Sequence, residues 1–205
     1  MLELIVGIKK MGIKRDYHSR SDVSTEKIYG GQIGIWNDTD TVNGLQAGGI
    51  NTCNNCYGVQ VGGSNTILED SICGQIGIMN MSLEKLNGVQ IGISNSADIT
   101  LNGGQVGICN NAGSTNGVQV GIINYSEELT CGQFGAINRT RFAGGFQVGL
   151  INSCDDDLNG VQVGLFCHAE NGKYVQLGLL TMRSGEEPWY KRVTPFFGYH
   201  REWLN

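Results

Sequence analysis

The sequence predicts an all-β protein, a two-sided parallel β-solenoid with terminal caps, and three observations carry this prediction. The phrase G-x-Q-x-G-x-x-N recurs in eleven copies, some imperfect, and its glutamine returns at every fourteenth or fifteenth position. Within each copy apolar and other residues alternate, which is the period of a β-strand. The same amide side chains return at the same places, as expected when each structural unit stacks on the next.

Three segments follow from the repeat. Residues 28–181 hold the solenoid, residues 1–27 a basic N-terminal cap, and residues 182–205 an aromatic C-terminal cap. Residues 1–27 carry six of the 14 basic residues, and residues 182–205 carry six aromatic residues. Terminal rungs of a solenoid must be covered, and aromatic rings bury a large area, so the last segment suits that role.

Residues 117–124 are the clearest copy of the repeat. Val118, Val120 and Ile122 alternate with Gln119, so we expect a strand whose apolar face is buried. A polar, glycine-rich stretch of about six residues then leads to the next copy. Such a stretch suffices for a corner and is too short for a helix.

The invariant amides predict ladders in which each side chain bonds its copies in the neighbouring rungs. An ordinary solvent-facing strand position would vary among Thr, Lys, Ser and Glu. The ladder glutamines are Gln32, Gln46, Gln60, Gln75, Gln90, Gln105, Gln119, Gln133, Gln147, Gln162 and Gln176. The ladder asparagines are Asn37, Asn51, Asn65, Asn80, Asn95, Asn110, Asn124, Asn138 and Asn152.

A second period is visible at the residue before each glutamine. This residue is bulky at Val59, Val89, Val118 and Phe146 and is glycine at Gly74, Gly104 and Gly132 in between. The alternation predicts a coil of about 29 residues made from two unlike repeats, since the structural unit of a solenoid matches the sequence period. On that prediction Gln90 stacks on Gln60 and Gln119.

The connecting segments predict an acidic edge. Those after odd-numbered copies are acidic and those after even-numbered copies are neutral or mixed, so ten of the 19 acids would line one long edge. This edge would repel nucleic-acid phosphates, so no nucleic acid is expected along the rod. Its candidate partner-binding residues are Glu127, Glu128, Asp155, Asp156 and Asp157.

Other features of the sequence bound its chemistry and location. No run of 18 apolar residues exists, so no membrane span is expected. The first residues do not resemble a signal peptide, which favours a cytoplasmic protein, with non-classical export or a surface location left open. The seven cysteines are interpreted as small buried thiols in a reducing compartment. Cys53 and Cys56 have CxxC spacing without a second ligand pair, so neither a metal nor a cofactor is expected.

The phrase G-[VL]-Q-[VI]-G-[IL]-[IVL]-N, best seen at 88–95, 117–124 and 145–152, resembles the bacterial surface-repeat proteins first noted in leptospiral genomes. That resemblance covers about three-quarters of the chain and implies a repeat-built surface or exported protein without an assigned activity. The spacing is also similar to curli-type amyloid repeats, an analogy that supports amide ladders.

The sequence favours a non-catalytic scaffold or interaction protein. Catalysis needs unlike groups in one pocket, whereas the repeats supply copies of an amide, which is a poor acid, base or nucleophile. Two alternatives stay open: an antiparallel β-barrel membrane or surface protein, and an enzyme with a site on adjacent rungs near the acidic edge. An unknown protein partner, or a second copy bound through the C-terminal cap, is expected. The candidate contact residues there are Trp189, Tyr190, Phe196, Phe197 and Trp203.

Overall fold

The computed structural model describes residues 27–184 and 193–200, and over these residues the chain forms one 13-stranded sheet wound into a solenoid. No helix occurs in the described residues. The predicted all-β parallel solenoid is therefore confirmed. The predicted basic cap lies almost entirely outside the described residues, as do Trp189, Tyr190 and Trp203.

The strands run through the corners of the coils, so several are long. The first one passes through more than one copy of the repeat without a break. The strands are β1 (Lys27–Ile67), β2 (Ser71–Ser82), β3 (Lys85–Ile91), β4 (Ser94–Val106), β5 (Cys109–Val120), β6 (Ile123–Leu129), β7 (Gly132–Phe134), β8 (Ile137–Ala143), β9 (Phe146–Val148), β10 (Ile151–Asp157), β11 (Gly160–Asn171), β12 (Tyr174–Arg183) and β13 (Val193–His200).

Each repeat makes one complete coil. Gln90 pairs with Gln75 in the preceding coil and with Gln105 in the following one. The prediction of two repeats per coil is therefore wrong, because a single repeat already closes a turn. The antiparallel alternative is wrong as well, because the pairings among β1 to β12 are all parallel.

The solenoid turns its amides inward and its aliphatic side chains outward. Gln119 is 0% exposed, whereas Val120 and Ile122 beside it are 42% and 53% exposed. The expectation that Val118, Val120 and Ile122 form the buried face is wrong. The alternation itself is present, but it does not say which of its two sets faces inward, and here hydrogen bonding decides in favour of the amides.

The two predicted ladders are confirmed: each repeat contributes a rung to the glutamine ladder, whereas the asparagine ladder ends at Asn152, because Cys167 and Thr181 take the asparagine position in the last two coils. The Nε2 atom of each glutamine from Gln46 to Gln176 donates to the Oε1 atom of the glutamine one coil earlier, at 2.7–2.9 Å. The Nδ2 atom of each asparagine from Asn37 to Asn138 donates to the Oδ1 atom one coil later, at 2.7–2.9 Å. The dipoles of the two ladders therefore oppose each other along the rod.

The second amide hydrogen is used too. Gln105 donates to the carbonyl of Asn111 in its own coil at 2.9 Å. Asn110 donates to the carbonyl of Val120 in the next coil at 2.9 Å. The same pattern repeats along both ladders. A polar interior is tolerated here because its donors are satisfied.

Two further columns complete the interior. One contains mostly small residues seven positions after the glutamines, such as Ala97 and Ala112, which stack directly, although Ile67 takes this place in its own coil. The other contains larger residues four positions before the glutamines, such as Leu86 and Leu101. These columns supply the apolar part of a narrow core.

The glycine two positions after each glutamine is required by the stacking. A Cβ atom on Gly107 would lie 2.3 Å from the carbonyl oxygen of Gly92 and 2.6 Å from Nδ2 of Asn95. No side chain fits at such distances. This glycine lets the asparagine amide of the coil below pack against the backbone above.

The cysteines do not all match their expected role. Cys56 and Cys73, from successive coils, form a disulfide, so the interpretation of all seven as free thiols is wrong for this pair. Cys53, Cys154 and Cys167 are buried free thiols, as interpreted, whereas Cys109 and Cys131 are exposed. The CxxC spacing of Cys53 and Cys56 therefore brings no bond between those two residues.

Strand β13 runs antiparallel to β12 and lies across the end of the stack. A Cβ atom on Gly198 would lie 2.9 Å from Oε1 of Gln176, so β13 passes directly over the last ladder glutamine. Thr181 donates to the carbonyl of Thr194 at 3.0 Å. The described part of the C-terminal segment thus covers the final coil.

Candidate interaction surface

On the outer surface of the solenoid, large apolar side chains concentrate at positions of the repeat that carry no charged residue. Outward positions one, three and four residues after each ladder glutamine form three columns along the rod, which we call the apolar band. Large apolar residues fill ten of the eleven positions in the first column and eight in each of the other two. In the coil of Gln90, they are Ile91 and Ile93.

The side chains of the apolar band are about half exposed, from 37% at Val148 to 85% at Ile35. A fully exposed aliphatic side chain offers about 60–120 Å² of apolar surface, by the usual conversion between transfer energy and area. The band as a whole therefore exposes on the order of 1,000 Å². The largest apolar patch on a typical monomer is about 300–600 Å².

The charged side chains that follow the ladder glutamines lie six to eleven positions after them, outside the three columns of the band. We call this part of the surface the charged edge. It carries twelve carboxylates and five basic residues in the part of the chain that the structure describes. The five predicted acidic contact residues, Glu127, Glu128 and Asp155 to Asp157, all lie on it. The apolar band holds no charged residue.

The charged edge is less purely acidic than predicted. Because one repeat makes one coil, acidic and basic segments share this edge instead of separating onto two. Arg139 contacts Asp155 at 2.7 Å and Arg141 contacts Asp156 at 3.1 Å, each pair joining successive coils. Both pairs are solvent-exposed, and such pairs contribute little to stability. Hydrogen bonding to Asp155 raises the pKa of Arg139.

Of the candidate contact residues in the aromatic C-terminal segment, the structure describes two. Phe196 and Phe197 lie on β13 and are 70% and 54% exposed. Phe196 has φ of 68°, in the left-handed region, at the point where the register of β13 against β12 shifts. These rings point outward at the covered end of the rod, beyond the last rung of the apolar band.

A chain of hydrogen-bonded hydroxyl and imidazole groups on the outer surface was not predicted from the sequence. Ser153 donates to Asp155 at 3.0 Å, and its Oγ atom lies 3.4 Å from Nδ1 of His168. Nε2 of His168 lies 2.9 Å from Oγ of Ser184. The signal was available in the spacing, because positions one repeat apart occupy neighbouring coils. The adjacent cleft holds about 160 Å³, whereas ligand pockets usually enclose about 300–1,000 Å³.

The buried thiols are poorly suited to nucleophilic chemistry. Burial, with a smaller effect from Asp38, raises the pKa of Cys53 to about 12. Burial likewise raises the pKa of Cys154 and of Cys167. The thiolate is the reactive form, so these groups stay protonated and unreactive near neutral pH.

Within the described residues, no three His, Cys, Asp or Glu side chains cluster as a metal site would require. The same residues include no helix of the length and apolarity needed to cross a membrane. Comparisons with models of protein families, with curated proteins and with solved structures found no match to this chain. The resemblance to the leptospiral-type repeat proteins stays a prediction.

Proposed function

We propose that this protein is a non-catalytic structural solenoid that assembles with itself, docking the apolar band of one copy against that of another. The observation that carries the proposal is the band itself, with 26 large apolar side chains exposed in three columns along the rod. Leaving this surface in water is unfavourable, and covering it is favourable at about 25 cal/mol per Å².

The area of the band suits a protein partner. A standard interface buries about 800 Å² on each partner, and the band offers that much. The band has no charge that a second copy would repel, because the charged residues occupy other positions of the repeat. A second copy also matches the rung spacing of the first, about 4.8 Å, along its whole length.

The proposed contact surface differs from the two predicted from the sequence, which were the acidic edge and the aromatic C-terminal cap. Partial neutralisation by Arg139 and Arg141 argues for a solvated role of the charged edge, which keeps the assembly soluble. The exposed rings of Phe196 and Phe197 offer a much smaller area than the band. Catalysis is disfavoured because the interior consists of repeated amides and apolar side chains, and the Ser153–His168–Ser184 chain borders only a small cleft.

The test is the oligomeric state of the full chain, measured by sedimentation equilibrium from nanomolar to micromolar concentration. We expect a dimer or a larger assembly that persists in high salt, because apolar contacts are not screened. Replacing Ile91, Val106 and Val120 by Thr should shift the protein to monomer. Threonine keeps the β-branch that strands favour, so the coils should stay folded.

The matched control replaces Asp155, Asp156 and Asp157 by Asn, at the charged edge. This variant should assemble as the unmodified protein does. A chain that is monomeric at micromolar concentration would refute the proposal. So would binding to neutral phosphatidylcholine vesicles by monomers that do not assemble, since a lipid surface would then be the occupant of the band.

A further inference from the structure

The column one position before the ladder glutamines flanks the apolar band and has a regular relief. Its members point outward, because they neighbour the inward glutamines in the strand. From Val59 to Phe146 the column alternates bulky residues with glycine in successive coils. Ridges therefore stand about 9.6 Å apart, two rungs, with a glycine between each pair.

Two of these glycines are not required by the fold. A Cβ atom on Gly74 would have its nearest contact at 3.9 Å, on Cγ2 of Val59. On Gly104 the nearest contact would be at 3.5 Å, on the carbonyl oxygen of Val118. Both distances are ordinary van der Waals contacts, and neither glycine has a positive φ. A glycine inside a strand weakens it, so a residue with a side chain would suit the isolated fold better.

The other glycines of the repeat behave differently. A Cβ atom on Gly103 would lie 1.9 Å from the carbonyl oxygen of Gly88, and Gly103 has a positive φ of 147°. Gly132 belongs to the same column as Gly74 and Gly104, but the ring of Phe146 covers it, with Cε2 only 2.7 Å from a built Cβ. Between Val59 and Phe146, Gly74 and Gly104 are therefore the open notches of this column.

Symmetry restricts how two such columns can meet. When two identical faces pack with a two-fold axis parallel to the strands, the rods run antiparallel and each column meets its own copy in reversed order. When the axis lies along the rod, this column meets a different column instead. Only the first arrangement places the ridges of one copy opposite the notches of the other, and isologous two-fold contacts are the commonest in homodimers.

We propose that Gly74 and Gly104 are notches that fix an antiparallel dimer, in which Gly74 receives Val118 and Gly104 receives Val89 of the second copy. The proposal rests on the self-assembly proposed above. This register places the two-fold axis between the coils of Gln90 and Gln105 and overlaps ten of the eleven ladder rungs. Moving the axis one coil earlier would seat Val89 on Gly74, but it would overlap only eight rungs. Moving it one coil later would also overlap ten, but it would set two bulky pairs of this column against each other, Val59 with Val161 and Leu45 with Val175, where the proposed register sets one, Leu45 with Phe146.

The first experiment fills the notches. Gly74→Val and Gly104→Val should leave the melting temperature of the dilute, monomeric protein unchanged or raised, while each weakens the dimer at least tenfold in sedimentation equilibrium. The control is Asn111→Val, which adds an outward valine to an exposed position six residues after its ladder glutamine, outside the band. This control should dimerise normally.

The second experiment tests the register by rescue. Adding Val118→Gly to Gly74→Val should restore dimerisation, because the new notch accepts the new ridge. Adding Val89→Gly to Gly74→Val should not. Rescue by Val89→Gly instead, or by neither change, would overturn the register.

The outcomes separate the two proposals. An unmodified chain that stays monomeric would refute both proposals, the self-assembly through the apolar band and the antiparallel dimer fixed by the notches. An unmodified chain that assembles, with filled-notch variants that assemble equally well, would overturn the notches alone and leave the self-assembly standing.

Discussion

The side-chain amide of Gln105 donates to the side-chain oxygen of Gln90, its counterpart in the preceding repeat, at 2.7 Å. The two side chains are each 0% exposed. One bond of this kind between consecutive copies establishes that a single repeat closes a coil. It also places the amides inside, which leaves the aliphatic residues of each strand on the outside.

Breaking the glutamine ladder should be costly. Gln119→Leu removes the acceptor for Gln133 and the donor to Gln105, and it leaves the carbonyl of Tyr125 without its side-chain partner. Each buried polar group left unpaired costs about 1–3 kcal/mol. Chemical denaturation should therefore show a large loss of unfolding free energy.

The control for the ladder is an exposed amide in the same coil. Asn116 also bonds a copy of itself, Asn102, at 2.9 Å, but at the surface. Asn116→Leu should lower the unfolding free energy by less than about 1 kcal/mol, because water replaces the lost bond. Equal losses for the two variants would contradict a buried ladder.

Alanine should discriminate between the glycine columns. Gly107→Ala forces a Cβ atom against the carbonyl of Gly92 and the amide of Asn95, and it should destabilise the protein by about 3 kcal/mol or more. Gly104→Ala, three residues earlier, should be neutral or stabilising by about 0.5–1 kcal/mol. Thermal melts of the two variants provide the comparison, and a similar loss in both would disprove the distinction.

Stability should fall in alkali. The pKa of Cys53 is raised from 9.0 to about 12, so the folded state keeps the proton that the unfolded state releases above pH 9. The contribution of the protonated Cys53 thiol to the unfolding free energy is complete below pH 9. It is lost as pH rises towards 12, by at most about 1.4 kcal/mol per pH unit. Unfolding free energies measured by denaturant between pH 8 and 11 should show this decline.

The slope of that decline with pH shows which titrating group causes it. Cys53→Ala should make it shallower, although Cys154, Cys167 and Tyr174 also have raised pKa values and should keep part of it. Cys109→Ala leaves Cys53 in place and should retain the full decline. An identical slope in all three proteins would remove Cys53 as a cause.

The disulfide should stabilise the early coils. Alkylation in denaturant without reductant should modify five cysteines, and seven after reduction, because Cys56 and Cys73 are bonded. Closing the loop between Cys56 and Cys73 should raise the unfolding free energy by about 3 kcal/mol in a chain-entropy estimate. Cys56→Ala with Cys73→Gly should lose about that amount while keeping the coil, since glycine occupies the matching place at Gly88.

Unfolding free energies of this double variant and of the unmodified protein, with and without reductant, give the measurement. Reductant should destabilise the unmodified protein and leave the double variant unchanged. Seven alkylated residues before reduction would show that the bond does not form.

Local pattern determined much of this protein. The spacing of Gln and Asn was enough to predict parallel coils and amide ladders, because only stacking keeps identical amides at identical places. The alternation in residues 117–124 was enough to predict a strand with two unlike faces.

Tertiary structure alone decided the rest. A period of two cannot say whether Gln119 or Val120 faces inward, since that depends on whether the amides find partners across coils. The alternation of Val89 with Gly104 suggested a longer coil, but it lies on the outside, where it shapes the surface and not the turn. Arg139 and Asp155 are distant in sequence, and only the coil length sets one beside the other. Contacts of this kind depend on how many residues close a turn, which is a property of the whole stack and not of any one repeat.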